Sequence, residues 1–491
     1  MNGIGQNGIG QNGGGLSGTP RYQALADAVS ALLDSGVLRP GMRAPSIRRI
    51  AAEHGLSIST VLHAYRLLED RGILEARPKS GFYVRGSGVK ARETPATSRP
   101  KKSPTKVAVA RGVIALLDYA ARPDIAPLGC AIPSSELLAA GGLDRFLARA
   151  ARVKGMAYNT YTEPRGDEQL RREICRRALR CGQVLTPESV AITNGCTEAL
   201  SLALRAVTRR GDTVAIESPT YFGLLQVLES LELNALELPT SATSGVDIAA
   251  LADALAKRRV KACLFSSSFN NPLGSLMSDD AKRALVALLQ RHGIPLIEDD
   301  IYGDIYFGAE RPKPFMALAP DADILYCSSF SKTLAPGYRI GWIATRRHME
   351  PVLEHKFALN LCSAALPQVA LAEFLSSGGY DSHLRRLRRT FAENVDRISR
   401  AVDASFPRET RITRPTGGFV LWLEMPERFP TRRLFDLAIA RGICFVPGDL
   451  FSPSRSHANC LRLSCGAPWD KRMEESIETL GELAASLQSE R

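Results

Sequence analysis

Short apolar segments alternate with longer helical segments from about residue 113 onward. The strings VAIT, TVAIES, ACLFSS, PLIED and ILYCSS are rich in β-branched or apolar residues, and helical or loop segments separate them. This alternation predicts an α/β architecture with a mostly parallel central sheet. From about residue 380, a long basic helix precedes FVLWLEM, ICFVPG and CLRLSC, which predict a smaller α+β lobe.

Residues 20–86 follow a different pattern. The apolar positions of RYQALADAVSALLDSG have the spacing of one face of an amphipathic helix. A second helix, IRRIAAEH, follows Ser46 as its N-cap, and a GLS turn leads into a third helix that extends through Arg71. Either Ser57 or Ser59 can cap this third helix, and ILEARPKSGFYVR predicts a hairpin. The segment therefore predicts a small helix-turn-helix domain with a β-hairpin.

Two polar segments flank this small domain. Residues 1–19 repeat IGQNG and carry no charge, which predicts a disordered, low-complexity extension. Residues 87–112 are rich in Pro, Ser, Thr and Lys, which predicts a basic, flexible linker. The predicted divisions of the chain are therefore 1–19, 20–86, 87–112 and 113–491.

The whole chain has a formal net charge of +12, and the positive charge is concentrated in its first quarter. Residues 20–86 contain 10 Lys or Arg and 6 Asp or Glu, and residues 87–112 contain 7 and 1. This asymmetry predicts a polyanionic partner for the N-terminal part. The 10 cysteines are scattered without a C-x-x-C pair, so we expect a reduced, cytoplasmic protein without a metal site. The sequence shows neither a membrane span nor a secretory signal.

The predicted third helix begins with small polar side chains. In a helix-turn-helix protein, the start of the second motif helix contacts base edges, and basic residues contact phosphates. The candidate DNA contacts are Ser57, Ser59, Thr60 and His63 for bases, and Arg43, Arg48, Arg49 and Lys79 for phosphates. Spacing alone leaves open an ordinary pair of short helices.

The string GVLRPGMRAPSIRRIAAEHGLSISTVLHAYRLLEDRGILEARPKSGFYV resembles the winged helix-turn-helix of the GntR family of bacterial regulators. The resemblance covers essentially all of residues 20–86 and implies DNA binding. That family often has an arginine after the serine that opens the recognition helix, whereas this chain has Ile58. An isoleucine can contact a thymine methyl but cannot bind guanine in a bidentate manner.

A second motif, SSFSKTLAPGYRIGW at residues 328–342, places Lys332 among small hydroxyls. A lysine amine forms a Schiff base with a carbonyl, which suggests an aldehyde cofactor that carries a phosphate. A phosphate is bound by backbone N–H groups at a helix start, by hydroxyls and by a fixed cation. The candidates are the turn at Gly195, Cys196 and Thr197, together with Ser329 and Arg339. An ordinary strand-to-helix turn is the alternative for the first three.

Two further segments supply groups that such a cofactor needs. PLIEDDIYGD places acids at the end of an apolar strand, where α/β proteins bind ligands and where a pyridinium nitrogen can find a carboxylate. Tyr221 in ESPTYFG is a candidate for stacking on the cofactor ring, although a tyrosine in this position is more often simple packing.

Taken together, these motifs make residues 113–491 similar to the fold-type I, aspartate-aminotransferase-like enzymes that use pyridoxal 5′-phosphate. The resemblance implies that Lys332 is the Schiff-base lysine and that Tyr221 stacks on the ring. It also implies contacts of Asp299 with the pyridine nitrogen, of Asn271 and Tyr302 with the ring hydroxyl, of Tyr161 with the phosphate of the partner subunit, and of Arg462 with an α-carboxylate. The family often has Ser or Gln at the positions of Cys196 and Thr197.

A GntR-type domain joined to an aminotransferase-like domain resembles the MocR subfamily of transcriptional regulators. The resemblance implies a head-to-tail homodimer that binds operator or promoter DNA and senses an amino acid, an amine or pyridoxal phosphate through aldimine exchange at Lys332. The alternative is an active aminotransferase that carries a DNA-binding domain, because the residues for proton transfer are all present. A third hypothesis is a biosynthetic enzyme whose N-terminal domain binds protein.

Overall fold

The computed structural model describes residues 21–34, 38, 42–70, 73–77, 81–84, 92–109, 116, 118–119, 122–138, 140–154, 160–257 and 259–490. The chain divides into two compact units, Met1–Ala91 and Arg92–Arg491. Within the described ranges, no helix is both long and apolar enough to cross a membrane. The predicted extension at residues 1–19 lies outside the described residues.

The first unit contains helices followed by a hairpin. Its elements are α1 (Arg21–Asp34), α2 (Ile47–His54), α3 (Ile58–Asp70), β1 (Leu74–Arg77) and β2 (Gly81–Val84). Ser46 caps α2 by accepting a hydrogen bond from the backbone N–H of Arg49 at 3.3 Å. Gly55 ends α2 with a φ of 60°, a conformation that glycine adopts without steric cost. Ser57 precedes α3 and accepts from the backbone N–H of Thr60 at 3.1 Å.

A small core holds the first unit together. The hairpin strands are antiparallel, and the buried side chains of α1, α2, α3 and the hairpin form one cluster. Val61, Ala64, Tyr65 and Leu68 lie on one face of α3 and have essentially no exposed surface. Tyr65 also donates its hydroxyl to the carbonyl of Pro45 at 2.8 Å. The predicted helix-turn-helix with its hairpin is therefore present.

A large sheet forms the centre of the second unit. Its described strands are β3 (Thr105–Lys106), β4 (Val190–Asn194), β5 (Thr213–Ser218), β6 (Asn234–Ser241), β7 (Gly245–Val246), β8 (Ala262–Phe265), β9 (Leu296–Asp299), β10 (Ile324–Ser329) and β11 (Ile340–Ala344). They run in the order β3-β6-β5-β8-β9-β10-β11-β4, and β7 pairs with β6. Strands β6, β5, β8, β9 and β10 are mutually parallel, whereas β11 is antiparallel to both neighbours.

Helices cover both faces of this sheet. They are α4 (Ala140–Lys154), α5 (Glu168–Ala178), α6 (Cys196–Val207), α7 (Phe222–Ser230), α8 (Ile248–Ala256), α9 (Asp279–His292), α10 (Phe315–Leu318), α11 (Met349–Asn360) and α12 (Ala365–Ser376). Neighbouring residues of a strand point to opposite faces of the sheet and so belong to different apolar clusters. In β4, Ile192 belongs to one cluster, whereas Ala191 packs with Leu200 of α6 in the other. Strands buried on both faces explain the continuous apolar runs of the sequence.

The C-terminal lobe is the predicted smaller α+β part. It contains α13 (Gly379–Ser405), β12 (Arg411–Ile412), β13 (Val420–Glu424), α14 (Thr431–Ala440), β14 (Val446–Pro447), β15 (Cys460–Ser464) and α15 (Lys471–Ser489). Its strands form an antiparallel sheet in the order β12-β13-β15-β14. Residues 122–138 also contribute, since the backbone N–H of Ser464 donates to Leu128.

Helix α13 connects the two cores of the second unit. Near its start, Tyr380 and Leu384 pack into a core of the large sheet. Further along, Leu387 and Phe391 pack into the core of the C-terminal lobe. The same rigid element is therefore shared by both parts.

The predicted flexible linker at 87–112 is wrong for residues 92–109, which are packed on the second unit. Arg92 forms an ion pair with Asp403 at 3.3 Å and donates to several carbonyls near the end of α13. Farther along, β3 pairs with the edge strand β6. The polar composition concealed this packing because every partner lies more than 100 residues away. Residues 87–91 and 110–112 lie outside the described residues.

Candidate functional site

A cavity opens at the carboxyl ends of β5, β8, β9 and β10, beside the start of α6. We name it the lysine cavity. The lining residues that the sequence predicted are Cys196, Thr197, Tyr221, Asn271, Asp299, Tyr302, Lys332 and Arg462. The C-terminal lobe contributes Arg462 from β15, and the other predicted residues come from the large sheet and its connections. Parallel strands place their carboxyl ends at one edge, which brings distant motifs together.

Lys332 lies just after β10 in the lysine cavity. Its Nζ donates to the carbonyl of Ala131 at 2.6 Å. Burial, followed by the nearby positive charge of Arg462, lowers the pKa of the Lys332 amine to about 8. A substantial fraction of the amine is therefore neutral near physiological pH, which is the nucleophilic form.

Asp299 ends β9 and faces the same cavity. Its Oδ1 accepts from the backbone N–H of Ile301 at 3.2 Å and from the thiol of Cys196 at 3.6 Å. Burial raises the pKa of Asp299 to about 6. Burial and the Asp299 charge raise the pKa of Cys196 well above its usual value, so the thiol stays protonated and donates. The Cys196 thiol thus donates a hydrogen bond to Asp299, whereas the backbone N–H of Cys196 lies at the start of α6.

Arg462 is a cation buried in the lysine cavity. Its side chain belongs to a residue that is only 1% exposed. One terminal nitrogen donates to the carbonyl of Gly129, and the other lies 3.5 Å from Asn271 Oδ1. Among the described residues, its Nε has no hydrogen-bond partner and no carboxylate lies within ion-pair distance. A buried, unpaired guanidinium is costly, so this arrangement favours binding of an anion.

A turn rich in backbone N–H groups lies next to the lysine cavity. Gly195 has a φ of 83° and precedes α6. Arg339 crosses it, donating to the carbonyl of Asn194 at 3.1 Å. A Cβ at Gly195 would lie 2.3 Å from the Arg339 guanidinium, and one at Gly341 would lie 2.5 Å from the Gly195 carbonyl carbon. Only glycine permits this close approach. Ser329 pairs with Gly341 across β10 and β11, and its hydroxyl accepts from the backbone N–H of Ser331 at 3.3 Å.

The remaining predicted cofactor contacts differ in their exposure. Tyr302 is buried and lines the lysine cavity, as does Asn271. Tyr221 precedes α7 and is partly exposed in the cavity. Tyr161 is 85% exposed and does not line the lysine cavity of its own chain. Its role toward a partner subunit stays a prediction.

In the first unit, the predicted DNA contacts lie on or near α2 and α3. Arg48 and Arg49 are exposed on α2, and Arg49 forms an ion pair with Glu53 at 2.7 Å. Arg43 is exposed in the loop before α2 and forms an isolated β-bridge with Tyr83. These three cations are accessible to a polyanion.

The start of α3 presents hydroxyl groups that hydrogen-bond to one another. Ser57 Oγ lies 2.9 Å from Ser59 Oγ and 2.7 Å from Thr60 Oγ1. Ile58 is exposed beside them, and His63 stacks on Tyr22 with ring centroids 4.0 Å apart. Lys79 lies outside the described residues. The capping role of Ser57 reduces its freedom to contact a base, whereas Ser59 remains exposed.

Both parts of this architecture match known families. The family of bacterial regulatory proteins, gntR family, matches residues 21–84. The family aminotransferase class I and II matches residues 139–480, well over half of the sequence. The chain belongs to the aminotransferase class I and II family.

Known proteins match this chain over different lengths. The chain is 37% identical over 463 residues to the uncharacterized HTH-type transcriptional regulator YdcR of Escherichia coli (strain K12), covering 94% of this chain and 98% of the relative. It is 31% identical to the 2-aminoadipate transaminase of Thermus thermophilus, covering 74% of this chain and 91% of that enzyme. A crystal structure of LysN, the α-aminoadipate aminotransferase of Thermus thermophilus complexed with N-(5′-phosphopyridoxyl)-L-leucine, has a TM-score of 0.72 and 29% identity, covering 77% of this chain and 95% of that chain.

These matches confirm the predicted MocR-type architecture. The protein is a transcriptional regulator with a GntR-type DNA-binding domain and a fold-type I aminotransferase domain. The predicted cofactor, pyridoxal 5′-phosphate, is likewise confirmed as that of this aminotransferase family. The residues present fit this cofactor, because a buried cavity combines a neutralisable amine, a carboxylate and an adjoining glycine turn crossed by Arg339.

Sequence reasoning missed two residues of this aminotransferase-family site. Glu217 lines the lysine cavity, and its carboxylate accepts from the backbone N–H of Ser266 at 3.1 Å and from the Asn270 amide at 3.2 Å. Burial raises the pKa of Glu217 to about 8. The sequence feature that could have revealed Glu217 is its position as the charged residue of the otherwise mostly apolar strand TVAIES. The contact of Ala131 with Lys332 had no local signal, since it depends on tertiary structure alone.

The lowered pKa of Lys332 makes a pH-dependent prediction. Because only the neutral amine attacks an aldehyde, covalent capture of pyridoxal phosphate by the cofactor-free protein should accelerate with rising pH and level off above about pH 8. Stopped-flow absorbance between pH 6 and 10 measures this rate. A rate that kept rising toward the ordinary lysine pKa of 10.5 would contradict a desolvated amine.

Proposed function

We propose that this regulator detects an amino acid, or a related amine, in the lysine cavity and changes its affinity for operator DNA in response. The observation that carries the proposal is Arg462, a buried cation without a carboxylate partner among the described residues, in the same cavity as Lys332. An α-carboxylate offers the bidentate, charge-assisted partner that this guanidinium lacks. The amine of the same ligand then reaches the position of the Lys332 amine.

When bound, pyridoxal phosphate supplies an aldehyde that condenses with primary amines and a ring that withdraws electrons. We assign its phosphate to the turn at Gly195–Thr197 with Ser329 and Arg339, because these groups combine N–H donors, a hydroxyl and a cation. We assign its ring nitrogen to Asp299, whose carboxylate is held by the Cys196 thiol.

The same assignment gives roles to the remaining cavity residues. Asn271 and Tyr302, which both line the cavity, contact the ring hydroxyl, and Tyr221 stacks on the ring. Tyr161 contacts the phosphate in the other subunit of a head-to-tail homodimer, in keeping with its exposure in a single chain. Lys332 acts as the exchangeable amine, and its released neutral form can accept a proton from the ligand.

A working aminotransferase is the second candidate function. It is favoured by the complete set of Lys332, Asp299 and Arg462 in one cavity and by the similarity to an enzyme named as a transaminase. Sensing requires only that the ligand bind one state of the protein more tightly than another. Turnover requires proton transfer in addition.

One experiment separates these functions. The purified holoprotein is mixed with single amino acids and with amines that lack a carboxylate, with or without a keto acid, while the visible spectrum, the product and DNA affinity are measured. We expect amino acids to shift the spectrum and to alter DNA affinity without rapid product formation. Fast multiple turnover without any change in DNA affinity would favour the enzyme instead.

Substitution Arg462→Gln sharpens the test of carboxylate recognition. Loss of a charge-assisted hydrogen bond costs about 1.5–3 kcal/mol, so the spectral titration of an α-amino acid should weaken by roughly 10- to 150-fold. The loss should be smaller for an amine without a carboxylate. Equal losses for both ligands would show that Arg462 does not recognise the carboxylate.

A further inference from the structure

A larger cavity lies elsewhere in the second unit. It measures about 640 Å³ and is bordered by α5 and the turn after it, by the loop of residues 304–313 and by the first turns of α13. We name it the arginine cavity. None of its lining residues also lines the lysine cavity. Its volume falls within the range of about 300–1,000 Å³ that is typical of small-molecule sites.

Cations outnumber carboxylates on its wall. Six cationic side chains and three carboxylates line it; the cations are Arg177, Arg180, Arg311, Lys313, Arg385 and Arg388. Two of the carboxylates are already paired. Asp381 binds Arg177 at 2.9 Å and Arg180 at 2.5 Å, and Asp304 binds Arg311 at 2.6 Å. The wall therefore keeps a positive excess.

Three of the six cations are not in the ion pairs just described. Arg385, Arg388 and Lys313 form no ion pair with any carboxylate in the part of the chain that the structure describes. Arg388 is nevertheless held in place, because its Nε donates to the carbonyl of Asp304 at 2.7 Å and its guanidinium lies 3.8 Å above the Tyr306 ring. Such preorganisation lowers the entropic cost of binding a ligand.

Two further donors on the wall are unsatisfied. Gln183 is only 2% exposed, and its Nε2 has no hydrogen-bond partner among the described residues. The indole Nε1 of Trp342 also has no hydrogen-bond partner in the part of the chain that the structure describes. Trp342 also packs beside Phe330, with ring centroids 4.9 Å apart, so the cavity includes an aromatic surface. Both atoms are enclosed by protein, so the exposed cations Arg385 and Lys313 are the groups that an acceptor-rich ligand can reach.

We propose that the arginine cavity is a second ligand site, which binds a dianionic small molecule, either a phosphate ester or a dicarboxylate. Arg385 and Lys313 neutralise the anionic group, and Arg388 offers a fixed guanidinium from the same wall. The aromatic surface of Phe330 and Trp342 accommodates an attached ring or chain. This site is additional to the amino-acid site proposed in the lysine cavity.

Direct connections join the two cavities. The segment that follows β9 contributes Tyr302 to the lysine cavity and Tyr306 to the arginine cavity. On the other side, Thr333, the neighbour of Lys332, bonds through its hydroxyl to Tyr380 at 2.7 Å and through its carbonyl to His383 at 2.6 Å. The first turns of α13, which border the arginine cavity, therefore hold Thr333, the residue next to Lys332.

Calorimetry on the holoprotein, without DNA, tests this site. Three dianions serve as probes, namely inorganic phosphate, adenosine monophosphate and succinate, with adenosine as the uncharged control. Pyridoxal phosphate already occupies the lysine cavity in the holoprotein, so phosphate binding there is prevented. Succinate can still reach Arg462 in that cavity, so its binding supports the arginine cavity only if substitutions in the arginine cavity weaken it. We expect at least one dianion to bind at least about tenfold more tightly than adenosine. A preference for the phosphates over succinate, or the reverse, identifies the ligand class.

Variants locate the binding. The double substitution Lys313→Gln and Arg385→Gln removes two cations that form no ion pair among the described residues, so folding should be retained, and dianion affinity should fall at least about tenfold. The matched control is Arg389→Gln, an exposed residue of α13 that does not line the cavity, which should keep the affinity. The proposal is overturned if no dianion binds better than adenosine, or if the double variant binds as well as the parent protein.

Discussion

Replacing Lys332 with alanine is expected to abolish the visible absorbance band of the protein-bound cofactor. The band requires a Schiff base with a lysine, and among the described residues Lys332 is the lysine that lines the cavity. Its lowered pKa of about 8 makes it the reactive amine. Absorbance spectra of both proteins, taken after incubation with pyridoxal phosphate and desalting, measure the effect.

Chemical reduction strengthens this test. Borohydride treatment of the parent protein should add the mass of the cofactor to the peptide that contains Lys332, and no such peptide should appear in the alanine variant. Lys261→Ala, at an exposed position outside the cavity, is the matched control and should retain the band. Persistence of the band in the Lys332 variant, with native circular dichroism, would disprove the assignment of the cofactor lysine.

Joint substitution of Arg48 and Arg49 with alanine should weaken binding to all DNA sequences. Each phosphate contact contributes a slope of about −0.9 to the dependence of log affinity on log salt concentration, so the slope should become less negative by about 2. At roughly 0.15 M salt this corresponds to a loss of about 30-fold. Gel shifts or fluorescence anisotropy over a salt series, on operator and unrelated DNA, measure both quantities.

Glu53 provides an internal check of this prediction. Because Glu53 pairs with Arg49 at 2.7 Å, Glu53→Ala frees that guanidinium and should raise affinity for DNA. A second control removes two exposed arginines from α9 of the other unit, through Arg283→Ala and Arg291→Ala, and should leave affinity unchanged. Unchanged binding by the Arg48 and Arg49 variant would show that α2 does not contact phosphates.

Much of the fold could be predicted because local signals agreed with the tertiary structure. The caps at Ser46 and Ser57 and the apolar face of α3 determined the helices of the first unit within one or two residues. In the second unit, apolar runs and the motif around Lys332 pointed to a sheet with a cofactor at its edge. A fold can be predicted from sequence where local helix and turn preferences agree with the tertiary packing.

Other features depend on residues that are distant in sequence. The hydrogen bond from the Cys196 thiol to Asp299 spans 103 positions, and the packing of Arg92 on Asp403 spans more than 300. No periodicity or spacing reports such pairs. The arginine cavity was likewise invisible, because its cations come from α5, a long loop and α13, each of which resembles an ordinary solvated surface in sequence.

The packed segment of residues 92–109 has a mechanical consequence for regulation. It leaves the second unit at Arg92, whose guanidinium is held at the end of α13 by the carbonyls of Val402, Asp403 and Phe406. The chain toward the DNA-binding domain therefore departs from the C-terminal lobe and not from the large sheet. If the C-terminal lobe rotates around a ligand, Arg92 rotates with it, because these hydrogen bonds attach Arg92 directly to the lobe.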